Sequence, residues 1–259
     1  REGDKLYGPG ILDMKAGIIQ VLWALKTCKD FGLPLKKKIV LLCTSDEEVG
    51  SPSSKKIILK EAQASNCVLV MEPPVAGTGA LKTSRKSISN YFIKIKGKTS
   101  HAGNNHQSGI SAIREGAKII EYLESLTDYE KGTTVNVGLV QGGERLNVVP
   151  GYCKIGIDVR TRTLDEQKRM DKIIRSTKPF TKGIKLQITG GMERPPMLAN
   201  EGTKKLAAIA QNIGNQIGLN LPEAAVGGGS DGNFTSNLGI PTLDGLGAFG
   251  DGAHSKTEH

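Results

Sequence analysis

The sequence predicts an α/β protein: a doubly wound, mostly parallel sheet interrupted by a two-layer α+β, ferredoxin-like insertion. Three observations predict it. The continuously apolar runs KKIVLLCTS and NCVLVME read as strands buried on both faces, with the helical stretch SPSSKKIILKEAQAS between them. Strand, helix, strand in that order implies parallel pairing through a right-handed crossover. After about residue 84 the pattern switches to period two, as in SISNYFIKIKG, and parallel-sheet character returns near residue 192.

In chain order, residues 15–30 place Ile18, Ile19, Leu22 and Leu25 on one helical face, widened by Val21 and Trp23. FGLP closes that helix, and KKIVLLCTS follows as a buried strand. A serine and a proline start the next helix, before Ile57 and Ile58, and NCVLVME is the next strand. In the insertion, Tyr91, Ile93 and Ile95 share one strand face. ISAIREGAKIIEYLESL and LDEQKRMDKIIRSTK are helices, while TTVNVGLVQG, GYCKIGIDVRT and GIKLQITGG are strands. TKKLAAIAQNIG then reads as a helix and LGIPTLDGLGAFG as a strand running into a loop. The expected domains are residues 1–83 and 192–259 as two segments of one domain, with 84–191 inserted.

Composition narrows the function classes. With 259 residues, 37% apolar content, 33 Gly and 11 Pro, the chain suits a loop-rich α/β enzyme. Aromatics make up only 4%, too few for a surface that stacks bases. The net charge of +9 comes from dispersed lysines such as Lys36–Lys38, Lys55, Lys56, Lys94, Lys96 and Lys98, in no nucleic-acid-binding module. No nucleic-acid partner is expected, although a basic field can help attract an anionic substrate. Cys28, Cys43, Cys67 and Cys153 form no CxxC pair; Cys43 and Cys67 sit in apolar runs and read as small core residues. Reduced thiols and the lack of an 18-residue apolar segment lead to the expectation of a cytoplasmic protein without a membrane partner.

The chemistry concentrates in acidic and histidine motifs near strand ends: Asp13 in GPGILDMKAG, Glu47 and Glu48 in SDEEVG, Glu72 in VMEPP and His254 in GAHS. Carboxylate oxygens with one imidazole suit a divalent cation, and so many carboxylates suit two cations bridged by a shared one. Each residue alone has a plainer reading. Asp13 also reads as a helix N-cap, Glu47 and Glu48 as an exposed acidic pair, Glu72 as a solvated strand end and His254 as a surface histidine.

Taken in order, GPGILDMKAG, TSDEEVGS, MEP, TSHAG, LNVVP, DVR, GGGSD and GAHS resemble the zinc-dependent M20 family of peptidases and amidohydrolases, across nearly the whole chain. The GPGI form is most similar to the glutamate carboxypeptidase branch. The resemblance implies two Zn2+ per complete subunit, with Co2+ or Mn2+ as substitutes. Asp13 bridges the metals, Glu48 and His254 complete one site, and Glu72 serves the other with a histidine from an upstream H-x-D motif that this sequence does not contain. It implies a cis peptide bond between Asp13 and Met14, and Glu47 as the general base. His101 is implied to act on the scissile carbonyl from a partner subunit, so residues 84–191 form a lid that mediates a homodimer. Asn147, Arg160 and, less regularly spaced, Arg194 hold the substrate, and Gly228 and Gly229 line its pocket.

The expected activity is hydrolysis of a C-terminal peptide or amide bond beside a free carboxylate, on a small peptide or N-acyl amino acid. The alternatives are an N-acyl amino acid deacylase of acetylornithine or succinyl-diaminopimelate type, and an inactive scaffold homologue. By the resemblance, REGDKLYG begins inside a family domain and GAHSKTEH stops where a closing helix normally covers the catalytic sheet, so the sequence is expected to be part of a protein of roughly 370–450 residues.

Overall fold

A computed structural model describes residues 1–259. The chain divides into two compact units, one formed by Arg1–Arg85 with Met197–His259 and the other by Lys86–Pro196. The elements run α1 (Ala16–Asp30), α2 (Lys55–Gln63), β1 (Val68–Leu69) and β2 (Leu81–Arg85) in the first unit. The second unit holds β3 (Ile88–Lys96), β4 (Ser100–His101), α3 (Ala112–Glu124), β5 (Thr134–Gly142), β6 (Val148–Val149), β7 (Tyr152–Arg160), α4 (Leu164–Arg175) and β8 (Lys185–Arg194). The chain returns to the first unit with α5 (Glu201–Gln216), β9 (Glu223–Val226), α6 (Gly232–Asn237) and β10 (Thr242–Leu243).

The second unit is a four-stranded antiparallel sheet in the order β5-β7-β3-β8. Alternation decides its faces. Tyr91, Ile93 and Ile95 of β3 are buried with Ile155 and Ile157 of β7, against Ile119 of α3 and Met170 of α4. Phe92 on the opposite face of β3 is exposed. Both helices start at side-chain caps: the Ser111 hydroxyl accepts from Arg114 N–H and that of Thr163 from Glu166 N–H. The short ladder β4–β6 pairs His101 with Val148.

In the first unit the strands form two parallel pairs, β1–β10 and β2–β9, and a bridge joins Lys82 to Asp244. The backbone at Met71 and Glu72 is gripped between two glycines. A Cβ on Gly17 would lie 2.3 Å from the Met71 carbonyl oxygen, and one on Gly247 would meet the same oxygen at 2.3 Å. Gly247 N–H also donates to the Glu72 carbonyl at 2.8 Å. This close approach fixes α1 against the segment that carries Glu72.

Several expectations for this unit need correction. KKIVLLCTS forms no strand, and Ile39, Val40, Leu41 and Leu42 are all exposed. No ladder in the chain includes these residues, so the run gains neither the backbone partners nor the covering layer that would bury it. Cys43 and Cys67 are exposed rather than core. In NCVLVME only Val68 and Leu69 are paired, with β10 rather than with the preceding apolar run. The helix at α1 forms as expected, but its apolar face lies open, with Ile19, Leu22 and Trp23 exposed and only Gly17 buried. No helix is long and apolar enough to cross a membrane.

Candidate metal centre

Three of the expected ligands converge. One ligand atom each from Asp13, Glu48 and His254 all lie within 4.8 Å of one another. His254 Nε2 is 3.1 Å from Asp13 Oδ2 and 3.8 Å from Glu48 Oε2. Ligands on a tetrahedral zinc with ~2.0 Å bonds stand roughly 3.3 Å apart, so the spacing fits a cation with a fourth position open. The donor set of one imidazole and two carboxylates suits the same ion.

Each loop has a local cause. Asp13 lies in a non-helical turn before α1 (φ −113°, ψ 91°), and its peptide bond to Met14 is cis, as the resemblance implies. The N-cap reading does not hold, since no side chain caps α1. Glu47 and Glu48 begin a single helical turn, Glu47–Val49, closed by Gly50 at φ 89°. Asp46 clamps the turn: its Oδ2 accepts from Ser53 N–H at 2.7 Å and Ser54 N–H at 3.1 Å. Behind it, the Ser51 hydroxyl donates to Asp231 Oδ1, so the aspartate of GGGSD anchors the loop that carries both glutamates. His254 has φ 62°, a left-handed conformation unusual for a side-chain-bearing residue, and its ring is 65% exposed.

Glu72 stands outside the triad but within its electrostatic reach. Burial, then the charges of Asp13, Asp244 and Glu47, push its carboxyl up to about 8. Arg85 counters only part of this. A carboxyl so crowded by other acids is one that a cation would relieve.

Gly228 and Gly229 meet a group that sequence reasoning missed. Arg85 Nη1 donates to their carbonyls at 3.1 and 3.3 Å, while its Nε donates to Asp244 Oδ2 at 2.7 Å. The glycine run is thus held by its carbonyl oxygens. A pocket of about 300 Å3 lies beside it, lined by residues including Leu12, Pro73, Lys82, Arg85 and Gly228. Glu258 was also missed; it accepts from the backbone N–H of Gly10, Leu12 and Asp13. Nothing in HSKTEH marks that glutamate, because its partners are main-chain groups. Asp244 carried a weak signal, being a charge inside the largely apolar stretch IPTLDGLG, whereas Arg85 in LKTSRKS carried none.

The remaining predicted residues belong to the second unit. His101 is exposed at the end of β4, and its Nδ1 accepts from Gly103 N–H at 3.1 Å and Asn104 N–H at 3.0 Å. A neutral ring that accepts at Nδ1 carries its proton on Nε2, which leaves Nε2–H as a donor. Asn147 is brought beside it, since Ala102 N–H donates to the Asn147 carbonyl at 2.9 Å. Arg160 ends β7 and is paired with Asp158 at 2.8 Å. Arg194 ends β8 and is buried, with its carbonyl accepting from Gln167.

With this geometry in place, the sequence pattern of peptidase family M20/M25/M40 matches residues 1–259. The chain belongs to that family. It is 32% identical to carboxypeptidase G2 of Pseudomonas sp. (strain RS-16) over 273 residues, covering 100% of this chain and 63% of that protein. It is 26% identical to the succinyl-diaminopimelate desuccinylase of Nautilia profundicola over 266 residues, covering 98% of this chain and 70% of that enzyme. Among solved structures, a Staphylococcus aureus tripeptidase superposes with a TM-score of 0.76 at 24% identity, over 94% of this chain and 64% of that one. Aminopeptidase PepT from Bacillus cereus gives 0.73 at 23%, over 94% and 65%. These two likenesses establish a two-domain α/β architecture shared with M20 peptidases. The chain spans roughly two thirds of the length of these proteins.

Proposed function

We propose that this chain carries the catalytic machinery of a metal-dependent hydrolase that cleaves a C-terminal peptide or amide bond beside a free carboxylate, as in the glutamate carboxypeptidase branch. The observation that carries the reading is the convergence of Asp13, Glu48 and His254 with Glu47 next in sequence. A divalent cation held there supplies electrophilic polarisation of the scissile carbonyl and lowers the pKa of water. Glu47 takes the proton of the attacking water on its carboxylate and delivers it to the departing amine. Zinc is the proposed metal at two positions, and Glu72, crowded by the charges of Asp13, Asp244 and Glu47, would help to hold the second.

In this reading residues 1–83 and 192–259 are the two segments of a catalytic domain, doubly wound in type. Residues 84–191 are a ferredoxin-like lid that forms a homodimer and brings His101 to a partner's substrate. The Nε2–H of His101 then donates to the carbonyl oxygen as charge develops on it. Asn147, Arg160 and Arg194 bind substrate carboxylate and carbonyl groups, Arg160 through its planar fork. Gly228 and Gly229 border the pocket.

The second reading is an N-acyl amino acid deacylase, favoured by the 26% identity to desuccinylases over nearly the whole chain. The chemistry at the cation is the same. The test is hydrolysis by the complete protein of N-acyl glutamates, simple dipeptides, acetylornithine and N-succinyl-diaminopimelate, with metal analysis alongside. Preference for glutamate at the free-carboxylate end supports the carboxypeptidase. Preference for either acyl-diamine substrate moves the assignment to the deacylase, and no hydrolysis of any of them by the metal-loaded protein defeats both.

A further inference from the structure

Glu258 is nearly enclosed, at 5% exposure, and its carboxylate faces main-chain donors rather than a cationic side chain. Oε1 accepts from Leu12 N–H and Asp13 N–H at 2.9 Å each, and Oε2 accepts from Gly10 N–H at 2.7 Å. The Asp13 N–H bond does most to hold this carboxyl below the usual glutamate range, and the bonds from Gly10 and Leu12 add to it against the opposing effect of burial. The backbone joins the same contact, with Gly8 N–H directed at the Glu258 carbonyl at 3.4 Å.

The other end of the lever is His254. Asp251 and His259 exchange a pair of backbone hydrogen bonds, each 3.1 Å, which closes residues 251–259 into one loop. Within it the Ser255 hydroxyl donates to the Gly252 carbonyl at 2.7 Å and accepts from Thr257 N–H at 3.2 Å. Glu258 and His254 are thus members of one braced loop. One of them grips the amide of Asp13, and the other sets its ring nitrogen 3.1 Å from the carboxylate of Asp13.

We propose that Glu258 is a positioning residue for the cation site, holding the Gly10–Asp13 turn in the register that lets Asp13 and His254 share one ion. The proposal rests on the metal reading above. A carboxylate is needed for a simple reason. Its two oxygens present acceptor lone pairs to three N–H groups, whereas an amide in its place turns an NH2 toward one of those donors. Glutamine would therefore leave the turn with an unsatisfied, partly buried amide and let Asp13 swing. Groups that orient a metal ligand typically change affinity by roughly 10–100-fold when lost.

The experiment is a Co2+ titration of the complete protein, reading both affinity and the visible ligand-field bands, with circular dichroism confirming the fold. Glu258→Gln is expected to weaken Co2+ about 10–100-fold and to shift the bands, because Asp13 no longer ligates in the native geometry. Glu258→Asp keeps the charge with a shorter reach. It is expected to lie between wild type and Glu258→Gln in both readouts, and it decides the matter if the glutamine variant does not fold. A variant that melts earlier yet keeps wild-type Co2+ affinity and bands overturns the proposal, since Glu258 would then be a brace with no hold on the site. If the wild-type protein itself takes up no Co2+, the metal reading fails first and the proposal falls with it, a result visible before any variant is made.

Discussion

Arg85 and Asp244 lie far apart in sequence and meet as a buried ion pair, Nε to Oδ2 at 2.7 Å, with side-chain exposures of 4% and 0%. Ser230 adds a hydroxyl donor to the same oxygen at 2.6 Å, and the Gly245 N–H donates to Oδ1. The pair joins β2 to the turn after β10 and, through the Gly228 and Gly229 carbonyls, fixes the glycine run.

Removing one partner of a buried pair strands the other charge. Asp244→Asn is therefore expected to cost about 3–5 kcal/mol in unfolding free energy, read from denaturant melts. Arg85→Lys is expected to fall short of wild type as well, because an ammonium cannot serve Asp244 and two carbonyls from one planar fork. A loss under ~1 kcal/mol for Asp244→Asn would show that the pair is not the buried hub described.

The glycine clamp around Met71 yields a second prediction. A methyl at Gly17 meets a carbonyl oxygen at 2.3 Å, and backbone cannot turn aside as a side chain can. Gly17→Ala is expected to destabilise the protein by about 1–3 kcal/mol despite alanine's better helix propensity. It should also weaken metal binding, because α1 and the Glu72 segment must separate. Gly32→Ala is the contrast: nothing lies within 4 Å of its added Cβ, so only its φ of 63° resists. A Gly17→Ala protein as stable as wild type would mean that α1 does not approach Met71 this closely.

These relationships mark what the sequence could and could not reveal. Period-two alternation placed Tyr91, Ile93 and Ile95 on the buried face of β3 because a strand's two faces are written directly in its residue order. The grouping of Asp13, Glu48 and His254 was legible only through the order of the motifs that carry them, since each residue alone also reads as a cap or a surface group. Ile39 to Leu42 were misread because a continuous apolar run states a need for cover without naming what supplies it. Glu258 and the clamp of Gly17 and Gly247 on Met71 were invisible for another reason. Their partners are carbonyl oxygens, which every residue carries, and amide hydrogens, which every residue but proline carries.

The second unit offers a pH test away from the metal site. Hydrogen bonds from Arg169, then from Thr133, hold the Glu166 carboxyl below its usual range. A carboxyl lowered in the folded state stabilises it above the unfolded pKa, about 4.3, and loses that contribution as pH falls through the lower folded value. Unfolding free energy should therefore decline below pH ~4.3, by about 0.2–1 kcal/mol for this half-exposed pair. Glu166→Gln should remove that share of the decline while retaining the acceptor for Thr133. An unchanged acid slope in the variant would assign the decline to other carboxylates.

The sharpest prediction separates holding the cation from moving the proton. Glu47 and Glu48 are neighbours on one turn, yet only Glu48 joins Asp13 and His254 within ligand spacing. Glu47→Gln should therefore keep its metal, and zinc at 100 times its dissociation constant should still stabilise the variant by about 2.7 kcal/mol, as for wild type. Turnover should fall by about 10²–10⁴, because an amide cannot accept the proton of water. His254→Ala should show the reverse order of damage: metal content and the zinc-dependent rise in melting temperature are lost first, and activity follows only from that loss. Metal analysis, zinc-dependent melting and hydrolysis measured on both variants distinguish the two roles. If Glu47→Gln lost its metal and His254→Ala kept it, the two residues would exchange roles, and normal turnover by Glu47→Gln on every substrate would remove Glu47 as the base.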